Sequence, residues 1–150
     1  MATLKERIQS DLNESLRAHA EIRKGALRML TAAIRNAEIE ARATLDDGGV
    51  LAVIQKQAKQ RRESIAEFEK GGRQDLVDKE SAELAVLEAY LPAQASRADV
   101  EAAARRKIAE TGASGPRDLG KVMPPLVQEF AGRADGKLIS EVVRELLAGS

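Results

Sequence analysis

Apolar residues recur every three or four positions along almost the whole chain, and strand-like alternation is missing, so the pattern predicts helices. Leu4, Ile8, Leu12 and Leu16 step by four behind Thr3, which makes a capping box with Glu6; this first helix should end near His19. Leu27, Leu30, Ile34, Ala37 and Ala41 define a second helix that closes near the Asp46-Asp47-Gly48-Gly49 turn. Gly25 costs roughly 1 kcal/mol relative to alanine inside a helix, so this helix starts later than Glu21 or bends there. A third helix runs from about Gly49 to Lys70, capped by Asp46 or Asp47 and closed by Gly71. Its stripe is Leu51, Ile54, Ala58, Arg61, Ile65 and Phe68. A fourth follows Gln74-Asp75 with Val77, Glu80, Leu84, Leu87 and Leu91, and stops at Pro92.

The third and fourth stripes each hold one charge. In an antiparallel hairpin turned at Gly71-Gly72, Phe68 lies near Leu76 or Val77, which sets Glu80 about one turn from Arg61; an ion pair is expected there. After Pro92 the composition resets. Ala93 to Ala95 reads as a linker, Ser96 with Asp99 opens a new helix, and three helices are expected at approximately 97–111, 116–130 and 136–148. Pro124-Pro125 predicts that the middle one stops or kinks near Met123. The expected fold is all-α: an N-terminal four-helix antiparallel unit over residues 1–92, then a small C-terminal three-helix bundle over 93–150.

Composition narrows the function. With no Trp, one Tyr and two Phe, the chain lacks the aromatic set that stacks single-stranded bases in many sheet-based RNA modules. Absence of cysteine excludes disulfides, thiolate zinc sites and a cysteine nucleophile, and no secretory or membrane-length apolar run is present, which points to a cytoplasmic protein. Lys plus Arg and Asp plus Glu balance at 24 each, so anion binding must come from local patches. Residues 22–37 carry Arg23, Lys24, Arg28 and Arg35 without a carboxylate, and 48–62 carry Lys56, Lys59, Arg61 and Arg62, while 75–88 is acidic. The simplest account is mutual neutralisation between helices, with Lys56, Lys59 and Arg62 as a secondary basic face. Lys121, Arg133 and Lys137 are the stronger candidates, because they fall near two helix N-termini, where backbone N–H groups already favour phosphate. No catalytic constellation, nucleotide loop or metal set is legible: His19 has no metal partner nearby, and Asp46-Asp47 lacks the alternating oxygen ligands of a calcium loop. No cofactor is expected.

Several segments, in order, resemble one known family: Leu27-Arg28-Met29-Leu30, Gln60 to Ser64, Phe68 to Gly71, Arg73 to Leu76, Tyr90-Leu91-Pro92, Asp118 to Met123 and Gly132 to Leu138. Together they resemble the GatB/YqeY family, the helical tail module of the GatB subunit of the tRNA-dependent amidotransferase and its free-standing YqeY relatives. The resemblance implies an all-helical module without independent activity, since the transfer chemistry of that complex belongs to a separate domain. It implies tRNA as a partner, or an aminoacyl-tRNA synthetase or amidotransferase, while the lack of a long apolar run separately leads to the expectation of no membrane. Lys121, Arg133 and Lys137 would then contact phosphates. Two alternatives stay open: a protein-interaction module that does not bind RNA, and an accessory component of a carbon–nitrogen ligase with glutamine as amido-N-donor.

Overall fold

The computed structural model describes residues 2–149, and within them every regular element is a helix. These are α1 (Leu4–Arg17), α2 (Glu21–Ala41), α3 (Asp47–Lys70), α4 (Gln74–Glu88), α5 (Arg97–Thr111), α6 (Leu119–Glu129) and α7 (Gly136–Ala148), with a short 3-10 turn at Pro116–Asp118. The chain divides into two units, one ending at Leu91 and holding α1 to α4, the other beginning at Pro92 and holding α5 to α7.

Local chemistry explains most of the boundaries. Thr3 accepts a hydrogen bond from the Glu6 N–H at 3.1 Å, and Asp46 accepts from the Gly49 N–H at 2.8 Å, satisfying first-turn donors of α1 and α3. Asp47 opens α3 and also accepts the Leu4 N–H at 2.9 Å, so adjacent carboxylates cap two helices 43 residues apart. Ser96 and Asp99 form a reciprocal capping box on α5. α2 starts at Glu21 and runs through Gly25, so the glycine neither delays nor ends it. Its C-terminus turns on Arg42 in the left-handed region, at φ 54°.

Two local expectations are corrected by packing. Leu16 is exposed, and Ser15 is buried in its place, donating its hydroxyl to the Leu12 carbonyl at 2.7 Å. A strict spacing of four drifts by about 40° per step against a period of 3.6 residues, so after three steps the stripe has left the core side. The stop expected near Met123 is also absent: α6 continues through Pro124 and Pro125 to Glu129. Val122, Leu126 and Phe130, all buried, hold that helix against Val100, Ala104, Ile139, Val142, Val143 and Leu147. Pro124 is exposed, as are Gly120 and Lys121, the residues whose carbonyls lose their intrahelical donors to the two prolines.

In the first unit, Leu4, Ile8 and Leu12 of α1 pack with Leu27, Leu30 and Ile34 of α2, Val50 and Ile54 of α3, and Leu87 of α4. Nearly the whole core is aliphatic, as one Tyr and two Phe require.

Candidate functional site

The three C-terminal cations occupy different environments. Lys121, in the first turn of α6, lies 3.3 Å from Asp118, whose carboxylate also accepts the Ser114 N–H at 2.9 Å. Those contacts, the Ser114 N–H first and Lys121 next, hold Asp118 below its ordinary value. Arg133 works within its own unit. Its Nε donates to the Ala93 carbonyl at 3.2 Å, and its guanidinium stands 5.4 Å from the Phe130 ring centroid. The Ala95 N–H donates to the Arg133 carbonyl at 2.9 Å, and Gln94 Nε2 donates to the Gly132 carbonyl at 2.8 Å. Residues 93–95 are therefore stitched to the turn between α6 and α7. That turn needs Gly132, which is buried with φ at 75°.

Lys137 is exposed in the first turn of α7, where Asp135 caps the helix by accepting the Lys137 N–H at 3.1 Å. Lys121 and Lys137 thus mark two separate helix N-termini, each already furnished with a carboxylate. From Lys121 to the end of α6 the chain rises about 12 Å, which keeps Lys121 apart from Arg133 and Lys137 beyond that end. A single convergent anion pocket is not formed; an extended backbone of phosphates is the geometry that such spacing suits.

In the first unit, Arg61 is buried and Glu80 is its partner at 2.8 Å; Glu83, which the sequence pattern did not single out, meets the same Nη1 at 2.5 Å. Its signal was available, because Glu83 sits three residues after Glu80 and four before buried Leu87, on one helix face. Arg61 Nη2 also lies 3.4 Å from the Met29 sulfur. Of the secondary basic face, Lys56 is exposed, Arg62 stands 4.0 Å from Glu88, and Lys59 is engaged in an interaction.

Tyr90 donates its hydroxyl to Asp11 at 2.5 Å; Arg23 stands 3.7 Å from the same carboxylate and Arg7 lies over the ring at 5.9 Å. Burial, then the bond to Asp11, pushes the phenol up to about 12. A raised phenol favours the neutral folded form, so this contribution is whole below the unfolded value near 10 and fades as pH rises through 12. Because Tyr90 is the sole tyrosine, its ultraviolet titration is readable directly. The midpoint should lie well above that of free tyrosine and fall toward it in Asp11→Asn; an unshifted midpoint in both proteins would remove the Asp11 bond.

A cleft of about 950 Å³ opens between the start of α1, the end of α2 and residues 44–48. Ile8 and Ile34 form its apolar floor, and Lys5, Arg35 and Glu38 stand at its rim. Glu38 accepts from Lys5 Nζ at 2.7 Å and from the Leu45 N–H at 2.9 Å, contacts that hold its carboxyl below the ordinary range. The cleft joins residues more than thirty positions apart, so no local motif announces it.

Comparison with known proteins places this geometry in context. The family model described as Yqey-like protein matches residues 5–147. Among curated relatives, the altered inheritance of mitochondria protein 41, mitochondrial, of Pyrenophora tritici-repentis is 33% identical over 143 residues, covering 94% of this chain and 79% of that protein. The proteins of the same name from Eremothecium gossypii and Kluyveromyces lactis are 38% and 39% identical, and the match spans 54% and 53% of their lengths. These names correct the cytoplasmic expectation, since each describes a mitochondrial protein. The physical reason is that an address is read from a targeting segment, whereas cysteine content and helix hydropathy report only on redox chemistry and membrane spanning.

Proposed function

The chain belongs to the Yqey-like protein family over residues 5–147, and from that premise we propose that it is a non-catalytic helical module that binds tRNA or assists a tRNA-charging or tRNA-dependent amidotransferase complex. It would act as an N-terminal four-helix antiparallel unit followed by a C-terminal three-helix bundle. The observation that carries the reading is the position of Lys121 and Lys137, exposed in the first turns of α6 and α7, where ammonium groups and helix dipoles together would draw a phosphate, for which Lys121 would exchange its 3.3 Å contact with Asp118. Their separation suits recognition of a folded backbone by shape, in line with the scarcity of stacking aromatics. Arg133 assists from the turn between them, although its bond to Ala93 makes its first duty structural.

Equilibrium binding to total tRNA and to an unstructured polyanion, across a salt series, tests the reading. Preference for tRNA is expected to survive moderate salt. Reversing Lys121 and Lys137 to glutamate, with Arg133 retained, should weaken binding and flatten the salt slope by roughly one unit per lost phosphate contact. Equal, weak binding to both polyanions, unaffected by the reversals, would defeat it.

A further inference from the structure

The chain has no cysteine, so its oxidisable sulfur is confined to three methionines. Met1 lies outside the described residues, and Met123 is partly buried against the core of the second unit. Met29, on α2, is 56% exposed. Its sulfur nonetheless accepts a hydrogen bond from a buried charge, Arg61 Nη2, at 3.4 Å. That guanidinium is unevenly served. Nη1 meets both Glu80 and Glu83, whereas Nη2 has a thioether, which is a weak acceptor, and Nε has no acceptor among the described residues. The Arg61 side chain is more than nine-tenths buried, so the orphaned Nε carries its full desolvation cost and the bond from Nη2 to sulfur offsets little of its own. A stronger acceptor carried by Met29 would meet donors already in place.

We propose that Met29 is an oxidation site for hydrogen peroxide, and that its sulfoxide fastens the Arg61 cluster. A sulfur lone pair takes one peroxide oxygen: the S–O bond forms as the O–O bond breaks, sulfur gives up two electrons, and the second oxygen leaves as water with both protons. A turn about the Cγ–Sδ bond presents the new oxygen to the guanidinium. The bond it accepts there is charge-assisted, and such bonds are roughly twice as strong as neutral ones. Methionine oxidation is ordinarily harmful because it sets a polar group in an apolar core. Met29 stands at the surface, outside the aliphatic cluster of the first unit, so that penalty is small here. The balance at this residue therefore favours a tighter first unit after oxidation. None of Lys121, Arg133 and Lys137 takes part, which makes the proposal independent of the tRNA reading.

The test treats the full chain with dilute hydrogen peroxide and follows oxygen uptake by peptide mass mapping. Met29 should gain oxygen about tenfold faster than Met123, or more, in keeping with its exposure. The first unit of the oxidised chain should then melt roughly 3 °C or more above that of the reduced chain. Met29→Leu, treated alike, should show no such rise, which sets aside Met1 and Met123. Nuclear magnetic resonance of the Arg61 Nε–H reads the cluster directly in the native chain, and its signal should move on oxidation. Joint Arg61→Leu, Glu80→Leu and Glu83→Leu should turn the rise into a fall, because the sulfoxide then faces apolar groups. Equal or faster oxidation of Met123 would overturn the proposal. So would a melting temperature unchanged or lowered by oxidation, a rise that persists in either variant, or an Arg61 signal that oxidation leaves in place.

Discussion

Arg61→Ala is expected to destabilise the first unit by about 3–5 kcal/mol, which for a domain of this size lowers the melting temperature by roughly 12 °C or more. The Arg61 side chain is 7% exposed, and its Nη1 serves two carboxylates, Glu80 at 23% side-chain exposure and Glu83 at 8%. Truncation leaves both carboxylates facing each other in a poorly solvated site without their cation, and it removes the group against which Met29 rests. The cost therefore comes from stranded charge more than from lost attraction. Glu83→Ala should cost more than Glu80→Ala, because Glu83 is the less solvated partner and Glu80 is free to relax toward water. Joint replacement of Arg61, Glu80 and Glu83 by apolar residues of similar volume should recover most of the loss, since Arg61 Nε already lacks a hydrogen-bond acceptor among the described residues. Thermal melts followed by circular dichroism decide it: a shift below about 2 °C in Arg61→Ala would place the cluster with exposed pairs, worth under about 1 kcal/mol.

The same cluster shows what a sequence carries and what it leaves to packing. Helix boundaries were legible where a cap is local: Thr3, Asp46, Ser96 and Asp135 each lie within three residues of the donor they satisfy. The fate of Leu16 and of Pro124-Pro125 was not legible from spacing and propensity alone. The first depends on where a drifting stripe leaves the core, the second on whether Val122, Leu126 and Phe130 bury enough to outweigh two missing donors. The cations of the second unit were readable as residues near helix starts. Their partners were not, because the Ala93 carbonyl that takes Arg133 lies forty positions away, beyond any local pattern. For α2, apolar residues stand on more than one side of the helical wheel, with Ile22, Met29 and Ile39 set among charged and polar neighbours. Only the tertiary contacts decide which becomes core and which is left to water.

Phe130→Ala should be the most damaging single truncation in the second unit, at about 3–5 kcal/mol. Phe130 is 3% exposed at the end of α6, where its ring contributes to the core and also carries the Arg133 guanidinium. Its loss opens a cavity beside Leu126 and loosens the arginine that holds Ala93, so core and linker strand weaken together. A unit of roughly 60 residues has only about 3–9 kcal/mol of stability to lose. The variant therefore stands near its unfolding threshold at ordinary temperature. Hydrogen exchange resolved by residue provides the measurement: amides of α5, α6 and α7 should lose protection by about two to four orders of magnitude, the exchange equivalent of that free energy. Phe130→Leu, which keeps most of the buried volume but no aromatic face, separates the two contributions. If it restores protection in the helices while the Ala95 amide, bonded to the Arg133 carbonyl, still exchanges fast, the ring's contact with Arg133 is what fastens the linker; full restoration at both would assign the whole effect to core volume.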